Sequence, residues 1–295
     1  MRSSNLAIAL WCLPRERRKD ALFFYSFCRA VDDIADNVEM LTAEKLQRLD
    51  EWDAALATGT GLPEELAAVM HRHELSPALL REIVAGCRRD VSDTPIVYET
   101  FEELRDYCWQ VAGAVGVAAA RIFGAHSPQA RDYAEHLGLA LQLTNIIRDV
   151  REDAEMRRVY LPIELCKWKV ENGKWKVGTA EPAAQDHAEG AEDNFQLSTF
   201  NFQLLDTPVL RMALARLADT AESEFVQAGK ILRYLPAPEV VALRPARLMA
   251  ELYSFLLLQM RRRGFDSMLR RPTLSLWCKI KVIARWLVIP FANRK

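Results

Sequence analysis

The sequence has no excess charge of either sign: 39 lysines and arginines stand against 40 aspartates and glutamates. No global field therefore draws it to nucleic acid, and no nucleic-acid partner is expected. Histidine is scarce, at 5 residues, and the six cysteines, at 12, 28, 87, 108, 166 and 278, form no C-x-x-C pair. Zinc-type coordination has no support, and the cysteines read as reduced core residues of a cytoplasmic protein. Long apolar runs are missing as well. AELYSFLLLQM covers about three helical turns, and LSLWCKIKVIARWLVIP is cut by Lys279, Lys281 and Arg285, so no segment is expected to cross a bilayer. The opening MRSSNLAIALWCLPRERR closes its apolar run with Pro14 and a basic cluster, unlike a secretory leader. No G-x-G-x-x-G follows a strand-like run.

What is present is an ordinary globular composition, 50% hydrophobic and 27% charged over 295 residues. Apolar residues recur at three- and four-residue spacing in segments 17–36, 43–57, 64–73, 77–89, 99–123, 128–156, 208–232 and 238–263. That spacing predicts an all-α fold. The breaks, such as Ser76-Pro77, Ser127-Pro128 and Thr207-Pro208, are short and suit helix starts. One helical domain over 1–295 is therefore expected. A single stretch departs from the helical pattern: WKVENGKWKV at 168–177 reads as two alternating runs around an Asn172-Gly173 hairpin turn. It opens an insertion over 166–195 whose acidic, small-residue remainder reads as a surface loop, with a lid over a nearby site as the alternative.

Two acidic stretches stand out. In YSFCRAVDDIAD, residues 25–36, the helical advance of about 100° per residue puts Tyr25, Arg29, Asp32 and Asp36 on one stripe, with Asp33 on its flank. In LQLTNIIRDVREDAEMRRVYLP the same arithmetic aligns Gln142, Asn145, Asp149 and Asp153. A lone acid pair at four-residue spacing is normally a solvated helix face. Here both stripes adjoin sequence expected to be buried, and like charges at that spacing cost a helix a few tenths of a kcal/mol. A compensating cation is expected. Carboxylates without histidine favour hard cations, and Mg²⁺ typically takes one or two carboxylates plus substrate phosphates. A di-iron site would want E-x-x-H, which neither stretch has. Arg29, Arg148, Arg151, Arg157 and Arg158 surround the acids, and guanidinium suits phosphate.

These stretches, with YCWQVAGAVG at 107–116 and LPRERR at 13–18, resemble the squalene/phytoene synthase family over about Ser3 to Phe265. The resemblance implies the isoprenoid synthase fold around a central apolar cavity. It implies Mg²⁺-dependent head-to-head joining of two allylic prenyl diphosphates through a cyclopropylcarbinyl diphosphate, with two to three ions beside the diphosphate. By motif match Asp32, Asp33, Asp36, Asn145, Asp149 and Asp153 would hold metal. Arg29, Arg148, Arg158 and the Ser3-Ser4 stretch would hold diphosphate. Gln142, Tyr25, Tyr107, Tyr160 and Tyr253 would line the substrate site, and Tyr107 is the candidate for proton handling, with released diphosphate as the rival base. Among members the motifs look most like bacterial enzymes making presqualene diphosphate from two C15 units for squalene and hopanoids. Phytoene synthesis from C20 units is the alternative, and a non-catalytic assembly protein is the rival outside catalysis. A terpene cyclase is disfavoured, because its second box reads N-x-x-x-S/T-x-x-x-E. Gln110 and the 168–177 insertion depart from the family pattern, and NADPH use stays open. The tail 274–295, with Trp277, Trp286 and interspersed basic residues, reads equally as a docked helix or as a peripheral membrane contact.

Overall fold

Short breaks cut the chain into helices where the spacing places them. The computed structural model describes residues 9–166, 168–171, 174–177, 208–265 and 271–274. Helices α1 (Arg15–Asp36), α2 (Thr42–Thr58), α3 (Glu64–Arg72) and α4 (Pro77–Arg89) come first. They pack Phe24, Phe27 and Val31 of α1 against Leu49 and Leu56 of α2, Leu66 of α3, and Ile83 and Val84 of α4. The Asp20 carboxylate, buried on α1, accepts from Arg72 and lies 2.8 Å from His73 Nε2, tying α1 to the end of α3.

The segment 99–123, expected as one helix, is divided. Helix α5 (Phe101–Cys108) passes through a π turn (Trp109–Gly113) into α6 (Ala114–Phe123). A Thr100/Glu103 capping box starts α5. At the turn, a Cβ on Gly113 would sit 2.5 Å from the Trp109 ring. Only glycine leaves room for the indole there.

Helix α7 (Pro128–Glu155) is the central strut. Ser127 caps it and Pro128 occupies its first turn. Glu239 accepts from the Ser127 and His126 backbone N–H groups, which puts an anion at the positive end of the helix. One side of α7 buries Leu139, Leu143, Ile146 and Ile147 against Leu210, Leu214 and Leu217 of α9 (Pro208–Ile231) and Leu252 and Leu256 of α11 (Arg244–Arg262). Between α9 and α11 lie a 3-10 turn (Leu232–Tyr234) and α10 (Ala237–Ala242). The four described cysteine side chains, at 12, 28, 87 and 108, are free thiols.

Two small ladders complete the fold. After α7, Arg157 adopts a left-handed conformation and turns the chain into β2 (Arg158–Val159). It pairs in parallel with β1 (Ile96–Val97), Ile96 opposite Arg158. Helix α8 (Ile163–Cys166) precedes β3 (Trp168–Glu171) and β4 (Lys174–Val177), which pair antiparallel with Glu171 opposite Lys174. The Asn172-Gly173 turn predicted this pairing. The turn itself, the 178–195 loop, Ser3 and Ser4, and nearly all of the 274–295 tail lie outside the described residues. Among the described residues no helix is long and apolar enough to cross a membrane.

The small residues of 111–120 serve close helix contact. A Cβ on Gly138 of α7 would meet the Ala112 carbonyl oxygen at 2.8 Å and Gly113 Cα at 2.9 Å, all backbone. Gly138→Ala is expected to destabilise the fold by about 1–3 kcal/mol, the usual range for overpacking. Urea unfolding would measure it, and an unchanged midpoint would show that α7 can withdraw from the π turn.

Candidate active site

Three helices aim their C-terminal ends at one place. Helix α1 ends with Asp32, Asp33 and Asp36, and α7 ends with Asp149, Glu152 and Asp153; neither has a basic residue in its last turn. Helix α4 is closed by Asp90 as its C-cap. A helix C-terminus carries partial negative charge, so acids are least welcome there.

Arginines answer this charge. Arg158, buried at the start of β2, donates to Asp36 Oδ1 at 2.7 Å, to the Ala35 carbonyl at 3.3 Å and to the Asp90 carbonyl at 3.2 Å. It thus satisfies backbone oxygens at the ends of α1 and α4 together. Arg29 pairs with Asp32 at 2.6 Å and with Asp33 at 2.5 Å on the exposed side of α1. Arg148 clasps Asp149 and also engages Tyr253. Arg271, from the C-terminal segment, reaches Asp149 at 2.9 Å and Glu152 at 3.6 Å. Arg151 pairs with Glu155 along the exposed flank of α7.

The compensation is incomplete. Burial, then the neighbouring Asp149, Asp90 and Glu152 charges, push the Asp153 carboxyl up to about 8 against the pull of Arg158. Asp32 is pushed up to about 6 by partial burial and by Asp36, Asp33 and Asp90, against Arg29. The Asp32 side chain keeps 48% of its exposure, and water screens it, so Asp153 is the stronger sign of unmet negative charge. One helical turn before Asp149, Asn145 donates to Gln142 at 3.4 Å while its own Oδ1 is buried without a hydrogen-bond partner. A buried amide oxygen beside surplus carboxylates is a donor set that fits a hard cation. Among the described residues no three acidic, histidine or cysteine side chains are gathered into a closed metal cluster.

Behind the acids lies an apolar cavity of about 260 Å³ between the π turn, α6, α7 and α11. Its α7 wall runs from Tyr133 through Leu137, Gly138 and Leu141 to Gln142 and Asn145, and Tyr253 closes the same end. The wall is about 18 Å long at 1.5 Å per residue. One helix thus carries a greasy wall and, in its next two turns, the acids.

Of the predicted tyrosines, Tyr25 lies at the surface of α1, 37% exposed. Tyr107 and Tyr160 are buried, with rings 5.0 Å apart and stacked. Their hydroxyls both donate to Asp90, at 2.8 Å and 2.7 Å. Burial and the Asp90 charge hold both phenols well above their ordinary pKa. Sequence reasoning missed Asp90 and Arg271. Neither belongs to a periodic stripe, and the only local hint at Asp90 is an acid ending an apolar helix.

A profile of squalene/phytoene synthases matches residues 2–278. The chain belongs to the squalene/phytoene synthase family. A presqualene diphosphate synthase of Zymomonas mobilis is 39% identical over 168 residues, 55% of this chain and 57% of that protein. The matched stretch thus spans little more than half of that relative. A 15-cis-phytoene synthase of a Paracoccus species is 31% identical over 227 residues, 73% of this chain and 69% of its own. A crystal structure of a dehydrosqualene synthase in complex with a ligand superposes with a TM-score of 0.68 at 21% identity, covering 96% of this chain and 90% of its own. The fold of the family is the fold seen here, a single all-α domain.

The unmet charge at this site has a consequence for stability. An unfolded aspartate titrates near 4, so a carboxyl raised to about 8 binds more protons in the folded state between those values. Cation-free stability should therefore fall as pH rises from about 4 to about 8. Asp153→Asn removes that cost and should melt roughly 2 °C or more above the parent at pH 8.5 in chelator, the shift expected for about 1 kcal/mol. Thermal scans at pH 5 and 8.5 test this, and a less stable Asp153→Asn at pH 8.5 would contradict it.

Proposed function

We propose that the chain is a Mg²⁺-dependent prenyltransferase that joins two farnesyl diphosphates head to head into presqualene diphosphate. The observation that carries this reading is the junction on α7 of an apolar wall with surplus carboxylates and an unpartnered Asn145 oxygen. A prenyl diphosphate has the matching two ends. The identity to the Zymomonas presqualene diphosphate synthase supports the C15 substrate. The longer match to the Paracoccus phytoene synthase supports a second reading, two C20 units joined to phytoene.

Asp32, Asp36, Asp149, Asp153 and Asn145 are the residues that would hold the metal, with Asp33 at the rim. Bound Mg²⁺ supplies neutralisation of the charge that grows on the departing diphosphate. Arg29, Arg148 and Arg271 already sit on these acids, where they can turn to the diphosphate oxygens once a cation takes their place, while Arg158, held by the Ala35 and Asp90 carbonyls, would meet the diphosphate from where it stands. The cavity wall from Tyr133 to Leu141 holds the chain and keeps water and nucleophiles from an allylic cation. Tyr107 is assigned to the proton lost as the cyclopropane closes: its oxygen accepts that proton while its own hydrogen passes to Asp90, to which it is already bonded, and released diphosphate is the rival base.

The test is product analysis of purified protein with Mg²⁺ and either farnesyl or geranylgeranyl diphosphate, with and without NADPH. Presqualene diphosphate or a C30 product from the C15 substrate is expected. Phytoene from the C20 substrate would replace the substrate assignment, and no turnover of either would favour a non-catalytic binding protein. Asp36→Asn and Asp149→Asn should each lower kcat about a hundredfold or more, near 3 kcal/mol of lost transition-state stabilisation. Tyr107→Phe should retain substrate binding and slow turnover about tenfold or more; wild-type turnover in that variant would remove Tyr107 from proton handling.

A further inference from the structure

Asp90 is bonded on both its side chain and its backbone to groups that belong to the site. Its two carboxylate oxygens divide between the two phenols: Tyr107 donates to Oδ2 at 2.8 Å and Tyr160 to Oδ1 at 2.7 Å. The phenols also approach each other, with oxygens 3.2 Å apart. Its backbone carbonyl accepts from Arg158 at 3.2 Å, and the same guanidinium reaches Asp36 at 2.7 Å. A third ring, Tyr98, stacks on Tyr160 at 5.9 Å and leans on Tyr107 at 5.5 Å, filling the space around the pair.

The direction of each hydrogen follows. An ionised carboxylate has no hydrogen to give; burial opposes the Asp90 charge while Arg158 and the two phenols favour it, and with Asp90 charged both phenols spend their hydrogens on it. Their remaining lone pairs are what a third group would meet. An amide in place of the carboxylate would accept from one phenol and donate to the other, turning that second hydroxyl around. Charge, more than shape, therefore sets the orientation of the pair.

We infer that Asp90 is a positioning residue, which holds the Tyr107 and Tyr160 hydroxyls as acceptors and registers them, through Arg158, against the first acidic stretch. This rests on the prenyltransferase reading and adds to it a group outside both acidic stretches. Asp90 touches no substrate atom in this assignment, and takes the hydrogen that Tyr107 gives up when its oxygen accepts the substrate proton. Its effect passes through the two phenols, so loss of its charge should slow turnover without loosening substrate.

The experiment compares wild type, Asp90→Asn, the Tyr107→Phe/Tyr160→Phe double variant and the triple variant, with farnesyl and geranylgeranyl diphosphate and Mg²⁺. Circular dichroism and thermal melts accompany the kinetics. The expected result is a folded Asp90→Asn with kcat down about a hundredfold, as small misplacements of reacting groups produce, and KM within about threefold. In the double-variant background the same substitution should cost no more than about twofold, because residues acting as one unit are not additive. A folded Asp90→Asn with wild-type kcat overturns the assignment while the functional reading stands. A full loss in the double-variant background overturns it too, since Asp90 would then act by another route. Failure of Asp90→Asn to fold cooperatively marks a structural role and overturns it. Inactive wild-type protein overturns both this assignment and the function on which it rests.

Discussion

Negative helix ends converging on one point are the constraint on which the rest of the structure depends. The C-termini of α1, α4 and α7 bring their unpaired carbonyls and their terminal acids together. Each feature is unfavourable alone, and their sum demands cations. Arg158 is the internal answer, because a guanidinium has enough donors to serve two helix ends and a carboxylate at once. Its placement explains an otherwise minor element. The β1–β2 ladder is two residues long, yet with the left-handed Arg157 it sets Arg158 at the mouth of both helices.

The internal answer is partial, which is what a binding site requires. Full neutralisation by arginine would leave nothing for a ligand to do. The raised carboxyl of Asp153 and the unpaired Asn145 oxygen measure what is left over. Stability must then be supplied elsewhere. It comes from the α7 contacts with α9 and α11, from the Asp20 contacts to Arg72 and His73, and from Glu239 at the start of α7. The Asp20 and Glu239 anchors are set far along the chain from the acidic end of α7, and the α7 contacts run up to Ile147 just before Asp149, so the strut can carry an unfavourable end.

Much of this was legible from the residues in order. Helix positions followed from apolar spacing, and the two acidic stripes followed from helical arithmetic, because both are local and periodic. The π turn at Trp109–Gly113 was not legible as such. Its glycines announce a possible kink, but the Trp109 indole lying where a Gly113 Cβ would be is a contact in space that the order of residues does not spell out. Arg158 was read as one more phosphate ligand among several arginines. Its burial between two helix ends depends on a strand pairing across 62 residues of sequence, from Ile96 to Arg158. Asp90 and Arg271 escaped for the same reason: each acquires its role only when distant segments meet.

The two halves of the site are therefore one object. Asp36 of the first acidic stretch connects through Arg158 to the Asp90 carbonyl, and the Asp90 carboxylate connects to the tyrosine pair. The link is short and made of directional bonds between buried and half-buried groups. The proposed reaction, which would first expel a diphosphate and then manage a proton, would need its charge-handling and proton-handling groups in fixed register. Here that register is built into the shared C-terminal junction of α1 and α4, ahead of any substrate, rather than left to side-chain rearrangement during turnover.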